Sequence, residues 1–182
     1  MSSSYKFDNP DGIYFITFAT VEWVDIFTRK VYVDILLDSL KYCQNNKGLV
    51  INSWCIMSNH LHLIISRKDN NSMPDIIRDF KKYTSSKILK TIHNEPESRR
   101  NWMLWIFENA GRKNPNNKSY QLWRQDNYPE ELITNEFIDQ NVNYIQNNIL
   151  ETGIVENPED YLYCSAKDYA GEKGLLDVEI LE

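Results

Sequence analysis

LVINSWCIMSNHLHLIIS, Leu49–Ser66, decides how this chain folds. Leu49–Met57 is apolar and β-branched enough to read as a strand, and His60–Ser66 reads as another. Only Ser58 and Asn59 separate them, so the two runs predict an antiparallel hairpin. Side chains alternate faces along a strand, so His60 and His62 point one way while Leu61, Leu63 and Ile65 point into a core. Two of the chain's three histidines thus stand side by side on one face. Neutral imidazole binds several divalent metals, and a rigid strand would hold this pair as two nitrogen donors. A cation would need at least one further donor from elsewhere. Taken alone, an H-x-H pair is more often surface or hydrogen-bonded histidines with no ligand.

Outward from the hairpin, Ile13–Thr20 (IYFITFAT) is strand-like. Arg29–Asn46 repeats apolar residues at helical spacing, and Gly48 suits its C-terminal cap. After a polar loop, Pro74 opens a helix reaching about His93, with Ile77, Phe80, Thr84 and Ile88 on one face. NWMLWIFENAG (101–111) fits a helix or a strand, and Gly111 to Lys118 reads as loop. Tyr120–Arg124 (YQLWR) reads as a fourth strand. Pro129 begins another helical pattern, and Asn135–Leu150 is amphipathic. This order is the split β-α-β pattern of an α+β, ferredoxin-like antiparallel sheet with helices on one face. One domain over residues 1–182 is expected, with a core of about 13–150 and a C-terminal extension, 151–182.

The 182 residues are 42% hydrophobic, enough for a sizeable core, with apolar runs too short to span a bilayer. The first residues lack the layout of a signal peptide, so a cytoplasmic protein without membrane contact is expected. Cys43, Cys55 and Cys164 form no C-x-x-C pair and point to reduced, buried thiols. Net charge is −6 but unevenly spread: residues 67–124 carry thirteen basic and six acidic side chains, residues 125–182 two and fourteen. A basic centre with an acidic tail suits a polyanion partner for one face, or simply a solvated basic helix.

Histidine, hydrophobe, histidine on a central strand of such a fold resembles the HUH signature of single-strand nucleases. INSWCIMSNHLHLIIS resembles the "W-x-x-M-x-N-H-x-H" block of the REP-associated tyrosine transposases, relatives of the insertion-sequence-200-like transposases. FKKYTSSKI resembles their helix after the hairpin, and LWRQDNYPEELI the block that carries the nucleophile. NYIQNNILETGIVENPEDYLYCSAKDY is similar to the closing block, with some positions changed. The likeness spans about Ile13 to Gly171.

The resemblance implies a single-stranded DNA transposase or endonuclease. A tyrosine would attack a backbone phosphate and leave a 5′-phosphotyrosine and a free 3′-OH. It implies Mg²⁺ or Mn²⁺ on His60 and His62 to neutralise the scissile phosphate. A phenol with a pKa of about 10 needs such assistance near neutral pH. The partner would be single-stranded DNA bearing hairpin repeats, and the protein a monomer or a homodimer. The alternative is a domesticated DNA-binding protein of the same fold without nuclease activity.

Among eleven tyrosines the matching block selects Tyr128 as nucleophile, with Tyr83 as fallback. Tyr128 precedes Pro129, which disfavours helical geometry there and departs from the family's helical tyrosine. Glu131, three residues on, is the candidate third metal ligand, or else an acid at a helix start. Gln125 is another candidate donor, and His93 suits a helix C-terminus. Arg67, Lys68, Arg78, Lys81, Lys82, Arg112 and Lys113 could track phosphates, and Trp123 could stack a base. Trp102 and Trp105 are expected in the core.

Overall fold

The computed structural model describes residues 6–68, 70–115 and 119–181. Strand β1 (Tyr14–Ala19) leads through two 3₁₀ turns (Val21–Trp23, Ile26–Thr28) to helix α1 (Lys30–Lys47). Gly48 ends α1 in the left-handed region, φ +69°, its N–H bonded to the Cys43 carbonyl. Strands β2 (Leu49–Ile56) and β3 (His60–Arg67) form the expected hairpin, closed by the Met57 N–H on the His60 carbonyl at 2.8 Å. Helix α2 (Met73–Asn94) starts with Pro74 in its first turn and with the Ser72 hydroxyl accepting from the Asp75 N–H. Helix α3 (Arg100–Lys113), the two-residue strand β4 (Glu130–Glu131), α4 (Asn135–Asn147) and α5 (Ala166–Tyr169) complete the chain.

The sheet order is β2-β3-β1-β4, antiparallel throughout, an α+β arrangement of the ferredoxin-like kind. Alternation along the strands splits the apolar side chains into two cores. Tyr14, Ile16 and Phe18 of β1 and Leu61, Leu63 and Ile65 of β3 pack with α1 and α2. The other parity, with Cys55, Met57 and Ile64, packs under Val142, Ile145 and Ile149 around α4. Thus the long helices cover one face as expected, while α4 lies on the second. The histidine face is roofed rather than open.

Two local readings differ from the sequence, and the open one at 101–111 resolves as helix. YQLWR is not a strand: it makes one bridge, Trp123 to Thr20, and the Val21 N–H donates to the Leu122 carbonyl at 2.9 Å. Its aromatic composition reflects burial against α2, where the Trp123 Nε1–H donates to Thr84 Oγ1 at 3.0 Å. Pro129 opens no helix: β4 follows it, and α4 starts after Thr134, whose hydroxyl accepts from the Phe137 N–H. Residues 100–113 are helical; 116–118 of the expected loop lie outside the described residues. Among the described residues no helix is long and apolar enough to cross a membrane.

Candidate active site

His60 and His62 stand opposite Ala19 and Thr17 of β1 and share one face by the pleat, with His62 against Tyr144 of α4. Their rings lie 4.6 Å apart between centroids, nearly perpendicular. His60 Nδ1 is 2.7 Å from Asn59 Oδ1. The Asn59 amide nitrogen donates to the Trp23 carbonyl and to Asp25 Oδ1, so its oxygen end faces the ring. His60 Nδ1 therefore carries the proton, and Nε2 keeps its lone pair. His62 Nδ1 sits 2.8 Å from Thr17 Oγ1, and His62 Nε2 is buried without a hydrogen-bond partner. A buried ring nitrogen costs stability unless something pairs with it, so this atom is free to accept from, or ligate, a group in the pocket.

Burial holds both rings neutral. It lowers the His60 pKa, and burial together with His60 pushes His62 down to about 3. Neutral imidazoles whose outer nitrogens are anchored are ready metal donors.

Helix α4 supplies the roof. The Tyr144 ring stands 5.4 Å from the His62 ring at 69°, and the Phe15 ring stacks on the other neighbourhood of His62 at 5.5 Å. A cavity of about 300 Å³ opens here, lined by Phe15, Thr17, His62, Phe137, Gln140 and Tyr144. Gln140 and Tyr144 are four residues apart and share a helix face. Tyr144 is 49% exposed, so it is reachable from solvent while its ring lies against His62. Among the described residues no cluster of three His, Cys, Asp or Glu side chains forms. A cation on the two histidines would take its remaining oxygen donors from neutral groups such as the Gln140 amide, or from a bound phosphate. Two neutral imidazole nitrogens with oxygens at hand suit a divalent metal ion in general and do not select one.

Several expected site residues lie elsewhere. Glu131 pairs with Tyr14, whose side chain belongs to the α1–α2 face, and Glu131 Oε1 accepts from Asn9 Nδ2 at 2.6 Å. The pleat thus turns it away from His62, and the structure does not bring it to the histidines. Tyr83 is on α2, on that same far side, beside Tyr42 and Asp79. Tyr128 sits in the loop before β4 at φ +42°, its hydroxyl donating to Asp126 Oδ2 at 3.2 Å. Its neighbour Asn127 reaches β1, the Asn127 carbonyl accepting from the Thr17 N–H at 3.5 Å. His93 Nδ1 caps the Leu89 carbonyl.

The expected phosphate contacts divide. Trp123 is buried at 4% exposure and belongs to the core. Lys81 is turned inward, its ammonium donating to the Arg124 carbonyl and to Asn127 Oδ1, both at 2.8 Å. Burial pushes its pKa down to about 8. Arg67 ties the Asn71 carbonyl to Asp11, a loop clasp. Lys68 pairs with Glu179, Arg78 with Asp75 and Asp79, and Arg112 with Glu108, all on the surface. Lys82 and Lys113 are exposed beside the loop of Arg124 and Gln125. Trp102 and Trp105, expected in the core, are 52% and 64% exposed on α3. Tyr144, Gln140 and Asn59 were not singled out in the sequence. Phe137, Gln140 and Tyr144, at spacings of three and four, form a helical stripe that could have found them.

Comparison with known proteins bears on the family and the fold. Residues 11–109 match the model of a family described as "Transposase IS200 like". No curated protein matches. A solved REP-associated tyrosine transposase bound to a REP hairpin superposes with a TM-score of 0.67 at 14% identity, covering 100% of this chain and 94% of that one. At that identity the likeness shows the shared fold. A Deinococcus radiodurans structure, described as a transposase, gives a TM-score of 0.44 at 17% identity, covering 74% of this chain and 88% of that one.

Proposed function

The chain belongs to the IS200-like transposase family, and from that premise we propose a single-stranded DNA transposase or endonuclease in which Tyr144 is the nucleophile and His60 and His62 hold a divalent cation. The observation that carries this reading is the contact between the Tyr144 ring and the imidazole of His62.

The chemistry is an exchange of one phosphodiester for another. The Tyr144 oxygen attacks phosphorus, and the bond from phosphorus to the 3′-oxygen breaks. A 5′-phosphotyrosine and a 3′-OH result, with the phenolic proton passing to solvent and one returning to the leaving oxygen. Reversal with a different 3′-OH rejoins the strand, so no nucleotide cofactor is consumed. Mg²⁺ or Mn²⁺, when bound, supplies charge neutralisation at the scissile phosphate. His60 and His62 would bind it through Nε2, Asn59 and Thr17 keep those rings oriented, and Gln140 is the nearest candidate oxygen donor from α4. Because α4 carries both Gln140 and Tyr144, its seating on the sheet aligns nucleophile and phosphate. Tyr128 is supported less well: its hydroxyl engages Asp126, in the loop before β4.

The substrate proposed is single-stranded DNA carrying a hairpin; the structurally similar transposase is bound to a REP hairpin. The test is incubation of the protein with an end-labelled hairpin-bearing single strand and Mn²⁺. A covalent adduct stable in denaturing gels is expected. Tight binding without any adduct would instead leave a DNA-binding module of this fold.

A further inference from the structure

Beside the histidine pair lies a second feature that the chemistry above does not use. Glu22 and Trp23 both have φ of +52°, a left-handed conformation that bulky side chains rarely adopt. The turn is held by its surroundings. The Trp23 N–H donates to the Thr20 carbonyl at 3.2 Å, and Asn59 Nδ2 donates to the Trp23 carbonyl. Strain of this kind persists where the fold over-determines it, and it clusters at working sites.

What the strained turn achieves is presentation of an indole. Trp23 is 49% exposed, so core packing does not account for its pose. One edge meets the His60 ring at 5.8 Å, and the Arg124 guanidinium lies over its face at 5.4 Å. From there a trough of about 920 Å³ runs along α3, lined by Trp105, Asn109, Lys113 and Gln125. It combines two exposed indole faces, two cations and side-chain amides. Flat π-surfaces take bases, cations take phosphates, and amides read base edges.

We propose that Trp23, Arg124 and Trp105 form a subsite that stacks unpaired bases flanking the scissile phosphate, with Trp23 taking the base nearest the histidine pair. This rests on the single-strand reading above and adds its positioning element: a base clamped against Trp23 sets which phosphate lies under Tyr144. Asn59 links the two sites, since it anchors both His60 and the Trp23 carbonyl.

The test uses the full chain and a fluorescent hairpin-bearing single strand, with a single abasic position walked through its flanks. Trp23→Ala is expected to weaken binding by about 5- to 100-fold, the range of one lost stacking contact. Trp23→Phe should retain most of the affinity. One abasic position should weaken wild-type binding similarly yet add little in Trp23→Ala. Trp105→Ala changes an exposed helix residue, leaves the turn intact, and should also weaken binding several-fold. Unchanged affinity in both alanine variants, with the covalent adduct still formed, overturns the subsite alone. Failure of the wild-type chain to bind any single strand overturns the subsite and the nuclease reading together.

Discussion

The ring of Tyr144 meets the imidazole of His62 across the gap between α4 and the sheet, centroids 5.4 Å apart. It joins a helix surface to a strand and sets a phenol beside a buried nitrogen that has no partner.

On the proposed reading, His62 trades stability for metal ligation. Its Nε2 is desolvated and unpaired, a penalty of about 1–3 kcal/mol. Replacing His62 with Leu and its partner Thr17 with Val should raise the metal-free Tm by a few degrees, at about 2–4 °C per kcal/mol for a chain of this size. The same variant should lose Mn²⁺ binding in calorimetry. A lower Tm would show that the pair stabilises the fold as it stands.

Asn59 is a positioning residue. Asn59→Ala frees His60 Nδ1 of its acceptor and unties the Trp23 carbonyl. Mn²⁺ affinity should fall by about 10–100-fold, the usual effect of losing a partner behind a ligating histidine. Circular dichroism should show little change in fold, and titration calorimetry reads the affinity.

Lys81 and Lys82 are sequence neighbours with different roles. Lys81 ties down residues 124–127 from inside, whereas Lys82 is exposed. Lys82→Ala should lower the slope of log affinity against log salt by about 0.7 for single-stranded DNA. Lys81→Met should instead cost about 1–3 kcal/mol of stability, measured by denaturant unfolding, since the carbonyls it satisfies lose their donor.

Glu97 is expected to make the fold acid-sensitive. Its side chain is 2% exposed and bridges Arg29 at the start of α1 and Arg99 at the start of α3. Burial raises its pKa, but the Arg99 N–H, both guanidinium groups and the Tyr32 hydroxyl outweigh this and hold it down to about 2. A depressed carboxyl contributes stability above its unfolded pKa of about 4.3 and loses it as pH falls toward 2. Glu97→Gln should therefore cost about 3 kcal/mol at neutral pH. The gap to wild type should narrow below about pH 4, as read by urea melts across pH.

Much of this was legible in the chain because strong periodicities carried it. The β2–β3 hairpin, α1 with Gly48, and α2 with Pro74 follow from alternation, heptad-like spacing and terminal residues that have one structural meaning. The facing of His60 and His62 followed from the pleat alone. The failures have physical causes too. YQLWR has strand composition because it lies buried against α2, and burial selects the same residues as pairing does. Pro129 suits a helix start or a strand edge, and only the two-residue β4 decides; Glu131 changes faces with that choice. Tyr144 lies beside Ile145 in an apolar stripe, where a tyrosine reads as packing. Its exposure and its nearness to β3 arise from how α4 crosses the sheet. The strained turn at Glu22 and Trp23 left no signal, because neither residue is one that favours positive φ.

The most direct measurement is identification of the residue that carries the DNA. The adduct formed with a hairpin-bearing single strand and Mn²⁺ would be digested with trypsin and nuclease, and the nucleotide-bearing peptide sequenced by mass spectrometry. The nucleotide is expected on Tyr144, with Tyr144→Phe abolishing the adduct and Tyr128→Phe retaining it. A nucleotide on Tyr128, or an adduct that survives Tyr144→Phe, would contradict the account.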